Sequence, residues 1–187
     1  MTKIAIFASG GGSNAEAIVS YFKNHEKIKV ALLLTNNADA GVIARGKRLS
    51  IPTLVFSKQN YQDPQGVLRM LQLLEIDFIV LAGFLWLVPE HFINAYPDKI
   101  VNIHPALLPK FGGKGMWGHH VHEAVVAAGE KESGITIHYV NQHYDEGAPI
   151  FQASCALEPT DTPEQVAAKV LLLEHKHYPE VIERLLQ

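Results

Sequence analysis

Apolar residues fall along this chain in two alternating rhythms. Short runs such as Ile4-Ala5-Ile6-Phe7-Ala8, Ala31-Leu32-Leu33-Leu34 and Phe78-Ile79-Val80-Leu81-Ala82 are separated by stretches in which apolar positions recur at helical spacing. A continuously apolar strand has no face for water, so it must be covered on both sides, as in a parallel sheet between two layers of helices. The pattern predicts strands at 3–8, 28–35, 53–56, 77–82 and 99–103, with helices at 14–23, 39–49, 64–74 and 89–95 between them. A Pro/Gly-rich loop over 105–118 and a helix at 119–129 follow, then strands at 134–140 and 148–157, close enough to pair antiparallel at an edge. The last helix opens on Asp161-Thr162-Pro163-Glu164, a cap followed by Pro and an acid, and runs to 174 or beyond. The expected fold is α/β: a doubly wound, mostly parallel, Rossmann-like sheet with an antiparallel edge near the C-terminus, in a single domain over 1–187.

Composition narrows the class. The 187 residues are 48% apolar and 19% charged, with 10 Pro and 14 Gly, which is globular rather than low-complexity. A net charge of −3, with no long run of either sign, argues against a surface that tracks nucleic-acid phosphates. The longest apolar stretch, Phe78 to Val88, is interrupted by Gly83 and stopped by Pro89, short of the ~20 residues a membrane span requires. The N-terminal run Ile4–Ala8 is too short for a signal peptide, so the cytoplasm is the expected compartment, with no membrane partner. The single Cys155 forms no internal disulfide and belongs to no cysteine cluster.

Four features carry chemistry. Ser9-Gly10-Gly11-Gly12-Ser13-Asn14 lies between the first strand and the first helix, where free N–H groups and the helix dipole attract an anion. It lacks the Lys-Ser/Thr of a triphosphate loop, and the second strand ends in Thr35-Asn36-Asn37 rather than in a ribose-binding acid, which favours a monophosphate. A tight turn without ligand is the competing reading. Ala82-Gly83-Phe84-Leu85-Trp86-Leu87-Val88 would face the same crevice, at the ends of strands one and four where the winding reverses, and would suit a planar organic ligand unless Phe84 and Trp86 are simply core. In Asn102-Ile103-His104, residues two apart share a side, so an amide and an imidazole face one crevice while Ile103 enters the core. A structural histidine is the alternative. Asp145, in the loop between the last two strands, is either a turn former or a carboxylate that pairs with His104 and raises its pKa. His119, His120, His122, Glu123, His175 and His177 include no His-Glu-x-x-His helix, so they read as surface helix residues and no metal is expected.

Together, Ala8-Ser9-Gly10-Gly11-Gly12-Ser13-Asn14, Leu81-Ala82-Gly83-Phe84, Asn102-Ile103-His104-Pro105-Ala106-Leu107-Leu108-Pro109, Gly134-Ile135-Thr136-Ile137-His138 and Asp145-x-Gly147-x-x-x-x-Gln152 resemble the phosphoribosylglycinamide formyltransferase family of the formyltetrahydrofolate-dependent formyltransferases. The resemblance covers nearly the whole chain. It implies transfer of a formyl group from 10-formyltetrahydrofolate, as co-substrate, to the amine of 5'-phosphoribosylglycinamide in purine biosynthesis, without a metal. It implies that Asn102, His104 and Asp145 are catalytic, with Asn102 and protonated His104 stabilising the oxyanion and Asp145 holding His104. Gly12, Ser13 and Asn14 would hold the substrate phosphate and Glu174 the ribose, while Leu85, Trp86, Leu87, Val88, Asn102 and the 140–145 loop would contact the folate. Two departures from many bacterial members are the long loop over 111–118 and Trp86, where Arg is frequent. The implied partners are small molecules only, with the protein a monomer or homodimer. The rival readings are a formyltetrahydrofolate hydrolase, a methionyl-tRNA formyltransferase, both normally longer, and a non-catalytic nucleotide-binding Rossmann module.

Overall fold

The computed structural model describes all 187 residues, Met1–Gln187. Strands β1 (Thr2–Phe7), β2 (Ile28–Thr35), β3 (Thr53–Val55), β4 (Phe78–Leu81), β5 (Ile100–His104), β6 (Glu132–Tyr139) and β7 (Pro149–Ala156) form one sheet in the order β3-β2-β1-β4-β5-β6-β7. The first five run parallel, whereas β6 pairs antiparallel with both β5 and β7. The expected doubly wound sheet is present, and its antiparallel part includes the β5–β6 ladder as well as the outermost pair.

Side chains alternate along β1 between two cores. Ile4 and Ile6 enter a cluster on one face of the sheet with Ile18 and Val19 of helix α1 (Ser13–Tyr21) and with Val166, Val170 and Tyr178 of helix α7 (Pro163–Leu186). Ala5 and Phe7 enter the opposite cluster with Tyr61, Leu71 and Phe92. Both faces of the parallel strands are therefore dry, as their unbroken apolar runs require. Helices α2 (Gly41–Leu49), α3 (Lys58–Gln62), α4 (Arg69–Leu73), α5 (Glu90–Ala95) and α6 (His119–Ala127) complete the layers.

One helix differs from expectation. In place of one helix over 64–74, a kinked turn at Pro64–Leu68 joins α3 to α4. Ser57 caps α3, the Asp63 carboxylate accepts from the Gln65 N–H, and Gly66 adopts a non-helical backbone, so the local hydrogen bonds stop one helix and start another. The last helix, expected to reach 174 or beyond, runs to Leu186 through Pro179. A reciprocal Thr162–Gln165 capping box starts it, and the buried Tyr178 hydroxyl donates to the carbonyls of Leu81 (2.8 Å) and Val101 (3.2 Å), docking it under β4 and β5. No helix is long and apolar enough to cross a membrane.

Candidate active site

The strand order reverses between β1 and β4, and the loops leaving these two strands are stitched together. The Ser9 N–H donates to the Gly83 carbonyl at 3.0 Å, and the Leu85 N–H donates to the Ser9 hydroxyl at 3.0 Å. Above this seam opens a cavity of about 760 Å³, within the size range of ligand sites. Asn14, Leu85, Trp86, Leu87, Val88, Asn102, His104, Asp145 and Glu174 all line it, whereas Gly12 and Ser13 do not.

Gly12 sits where the glycine loop becomes α1. Its φ of +76° is left-handed, and a Cβ there would stand 2.7 Å from the Val42 side chain, so both conformation and space demand glycine. The Gly11 and Gly12 N–H groups donate to no backbone carbonyl, leaving them free for an anion. Sequence reasoning missed what braces this loop. Arg45 of α2 donates through Nε to the Gly11 carbonyl at 2.6 Å, and both Arg45 and Arg48 pair with Glu16 of α1. No local motif announces such a contact between two helices. Behind the loop, Asn14 Nδ2 donates to Glu174 Oε2 at 2.7 Å, and Asn14 Oδ1 is buried without a partner. Burial pushes the Glu174 carboxyl above its ordinary range, and the Asn14 bond only partly offsets this.

The loop after β4 divides its side chains. Leu85 and Leu87 are exposed along the cavity, while Val88 is buried and the Trp86 ring packs near Phe56 (6.0 Å between centroids) and Tyr61 (5.8 Å). Trp86 and Phe84 thus join the aromatic core and also border the cavity. Val140, Asn141, His143 and Tyr144 also line the cavity, and Val140 packs against the same core cluster as Phe84 and Trp86.

At the end of β5 the period-two expectation holds: Ile103 lies in the core, and Asn102 and His104 meet the same carboxylate. Asp145 Oδ1 lies 3.5 Å from Asn102 Nδ2, and Asp145 Oδ2 lies 3.5 Å from His104 Nδ1 and 3.0 Å from the Gly113 N–H. The antiparallel register sets His138 opposite Asn102, and Asn102 Nδ2 approaches His138 Nε2 at 3.2 Å. His138 Nδ1 faces the Tyr139 carbonyl at 2.8 Å, and a carbonyl only accepts, so Nδ1 carries a proton and donates it there. By the same reasoning His104 Nε2 donates to the Phe111 carbonyl at 2.7 Å, which leaves Nδ1 of the neutral ring as an acceptor facing Asp145.

This constellation is held by unusual backbone. Asp145 and Phe111 both adopt left-handed conformations, with φ of +58° and +55°, a cost tolerated where surrounding contacts enforce it. A Cβ at Gly147 would stand 1.6 Å from the Tyr139 carbonyl oxygen, so the Asp-x-Gly spacing lets the Asp145 loop close against β6. Gln152 and Thr136 fix the loop after His104: Thr136 Oγ1 donates to the Ala106 carbonyl and accepts from the Leu108 N–H, and Gln152 Nε2 reaches both Thr136 and the Leu108 carbonyl.

Electrostatics correct one expectation. Burial lowers the His104 pKa below its ordinary value of 6.5 and outweighs the opposing effect of Asp145, so the ring rests neutral near pH 7 rather than being raised toward protonation. Burial also acts to raise Asp145, but His138, His104 and the Gly113 N–H together hold it below the ordinary carboxylate value. The remaining histidines divide. His119 and His120 are exposed beside Glu123, and His177 pairs with Glu180. No group of three His, Cys, Asp or Glu side chains is arranged to hold a metal ion. His122, read from the sequence as a surface residue, is instead buried and lines the cavity.

Comparison with known proteins adds an independent line. Residues 2–182 match the family model described as Formyl transferase. Phosphoribosylglycinamide formyltransferase of Bacillus subtilis is 39% identical over all of this chain and 95% of its own length. The chloroplastic phosphoribosylglycinamide formyltransferase of Arabidopsis thaliana is 42% identical over 96% of the chain, and the chain spans 64% of that relative's length. The crystal structure of phosphoribosylglycinamide formyltransferase from Bacillus halodurans superposes with a TM-score of 0.89 at 39% identity, covering 100% of this chain and 96% of that one. A glycine loop, a strand-borne Asn-x-His and an Asp-x-Gly loop around one cavity, with these matches along nearly its full length, show that the chain belongs to the formyl transferase family.

Proposed function

We propose that this chain transfers the formyl group of 10-formyltetrahydrofolate to the amine of 5'-phosphoribosylglycinamide, within one domain over 1–187. The observation that carries the reading is Asp145, 3.5 Å from both Asn102 and His104, on the wall of a cavity with an apolar side, which the anion-ready loop reaches through Asn14. The apolar edge at Leu85 and Leu87 suits a planar pterin. The glycine loop and Asn14 suit the phosphate, and the Glu174 carboxyl suits a ribose hydroxyl.

The reaction moves one proton. The amine nitrogen attacks the formyl carbon, the carbonyl electron pair moves to oxygen, and the carbon–nitrogen bond to the folate then breaks. The amine nitrogen loses a proton, and the departing nitrogen gains one. His104 Nδ1, neutral and 3.5 Å from Asp145, accepts that proton, and the resulting imidazolium is stabilised by the carboxylate before passing the proton on. Of the two Asn102 amide hydrogens, the one in the long 3.5 Å contact with Asp145 turns to the oxyanion as it forms. The reading also takes the partners to be small molecules, the compartment the cytoplasm, and the assembly a monomer or homodimer.

Following deformylation of 10-formyltetrahydrofolate with and without the phosphoribosyl amine tests this reading. Turnover that requires the amine is expected. Equal turnover without it indicates the hydrolase, and none in either case indicates a binding module.

A further inference from the structure

The anion-ready loop takes its shape from the segment that follows β2. Three successive carbonyls of the loop are tied to that segment: Ser9 accepts from the Asn37 amide at 3.4 Å, Gly10 from the Val42 N–H at 3.1 Å and Gly11 from Arg45 Nε at 2.6 Å. The Arg45 contact is the shortest of the three and the only one with a charged donor. A trans peptide is planar, and its C=O and N–H point in opposite directions, so each carbonyl held toward this segment turns the next residue's N–H away from it. None of these peptides is cis. The Gly10, Gly11 and Gly12 N–H groups are thereby turned to the side of the loop away from α2, where they donate to no backbone carbonyl. Successive N–H groups facing one way form a concave anion site.

Glycine lets this loop approach a ligand but leaves it free to turn. Open space surrounds the points where a Cβ of Gly10 or Gly11 would stand, so packing on that side fixes neither peptide and hydrogen bonds must do so. Arg45 is itself held. Its far end pairs with Glu16, in the first turn of α1, and the same carboxylate takes Arg48 at 2.6 Å. The brace therefore links α2 to the helix that the loop opens, and Glu16 offsets the charge of the guanidinium. What Arg45 brings to the loop is the direction of a peptide rather than a free charge.

We infer that Arg45 is a positioning residue for the phosphate of the amine substrate: by holding the Gly11 carbonyl it aims the Gly12 N–H at the phosphate. The inference rests on the proposed formyl transfer for the identity of that substrate. Wild type, Arg45→Met and Arg45→Gln test it. Glutamine carries its amide nitrogen as many bonds from the backbone as arginine carries Nε, so it keeps the donor without the charge, whereas methionine has similar length and neither. In steady-state kinetics methionine is expected to raise the KM for the amine about tenfold, with kcat and the KM for the formyl donor within about twofold, and glutamine to stay within about threefold of wild type. A titration with inorganic phosphate, followed through the Gly11 and Gly12 amide signals by NMR, should show binding about tenfold weaker in the methionine variant and little changed in the glutamine variant. Thermal melting reports on folding separately, and Arg45→Ala replaces the methionine variant should that fail to fold. An unchanged amine KM in a folded methionine variant overturns the inference. So does a rise shared equally by the formyl donor, or a glutamine variant as impaired as methionine, which assigns the effect to charge. Amide signals that phosphate does not move in the wild type remove the anion site and the inference with it. A wild type that lacks amine-dependent turnover but binds phosphate overturns the formyl-transfer reading alone, and the titration then decides whether Arg45 positions the loop.

Discussion

The two walls of the cavity are built on opposite principles. Along the apolar wall, Leu85 and Leu87 are 41% and 39% exposed, and the neighbouring Phe84, Trp86 and Val88 anchor the loop to the core. Along the polar wall, Asn102, His104, His138 and Asp145 hold one another at 3.2–3.6 Å, and three backbone groups, from Phe111, Gly113 and Tyr139, complete the set. The first wall recognises by shape and tolerates adjustment. The second must present a proton acceptor and an amide at fixed positions, because misplacing such groups forfeits the rate advantage of a preorganised site. Of the non-glycine residues with left-handed backbone, Phe111 and Asp145 both lie beside the polar wall, where fixed geometry compensates for the cost.

The contrast predicts a graded response to substitution. The largest loss is expected for His104→Ala, at least ~10²-fold in kcat with the protein still folded, as measured by single-turnover formyl transfer and circular dichroism. Gly147→Ala is expected to act on the same wall through structure. The added methyl drives into the Tyr139 carbonyl, so the variant should lose about 1–3 kcal/mol in urea unfolding, and its kcat should fall as the Asp145 loop shifts. On the apolar wall, Leu87→Ala should raise the KM for the formyl donor about threefold to tenfold, with kcat within about twofold.

The smallest effect concerns pH. His104, His122 and His175 are all held below the ordinary value of 6.5, with burial the largest cause in each. The folded state therefore binds fewer protons than the unfolded chain, so the stability these groups contribute is complete above about pH 6.5 and is lost as pH falls through their lower folded values. Asp145, held below the ordinary carboxylate value, acts in the same direction at still lower pH. The urea midpoint should accordingly be lower at pH 5.5 than at pH 7.5. An equal or higher midpoint at pH 5.5 would contradict the neutral, buried state of these rings.

Strand-borne features were legible in the sequence because a strand has a simple period. Asn102 and His104 share a side, Ile103 takes the other, and the unbroken apolar runs forced a sheet covered on both faces. The Asp145 loop was legible as chemistry only through motif resemblance, since an Asp in a turn has ordinary uses. The groups that aim the polar wall left no trace, because the Phe111 carbonyl and Gly113 N–H are backbone atoms placed by loop conformation. The apolar periodicity over 64–74 overrode the local signals of Asp63, Pro64 and Gly66, which break the helix. His122 read as surface because α6 offers no local sign that α7 and the cavity will cover that side of the helix. His104 was expected to gain basicity from Asp145, but the depth of burial that decides the balance is a property of the folded chain.

The central claim is that the polar wall acts as one unit organised by Asp145, and a double-mutant cycle on kcat/KM with His104→Ala, Asp145→Ala and the pair tests it most directly. If the residues act together, the double variant should be no more than about tenfold worse than the poorer single variant. Losses that multiply in full would show two independent groups and contradict the account.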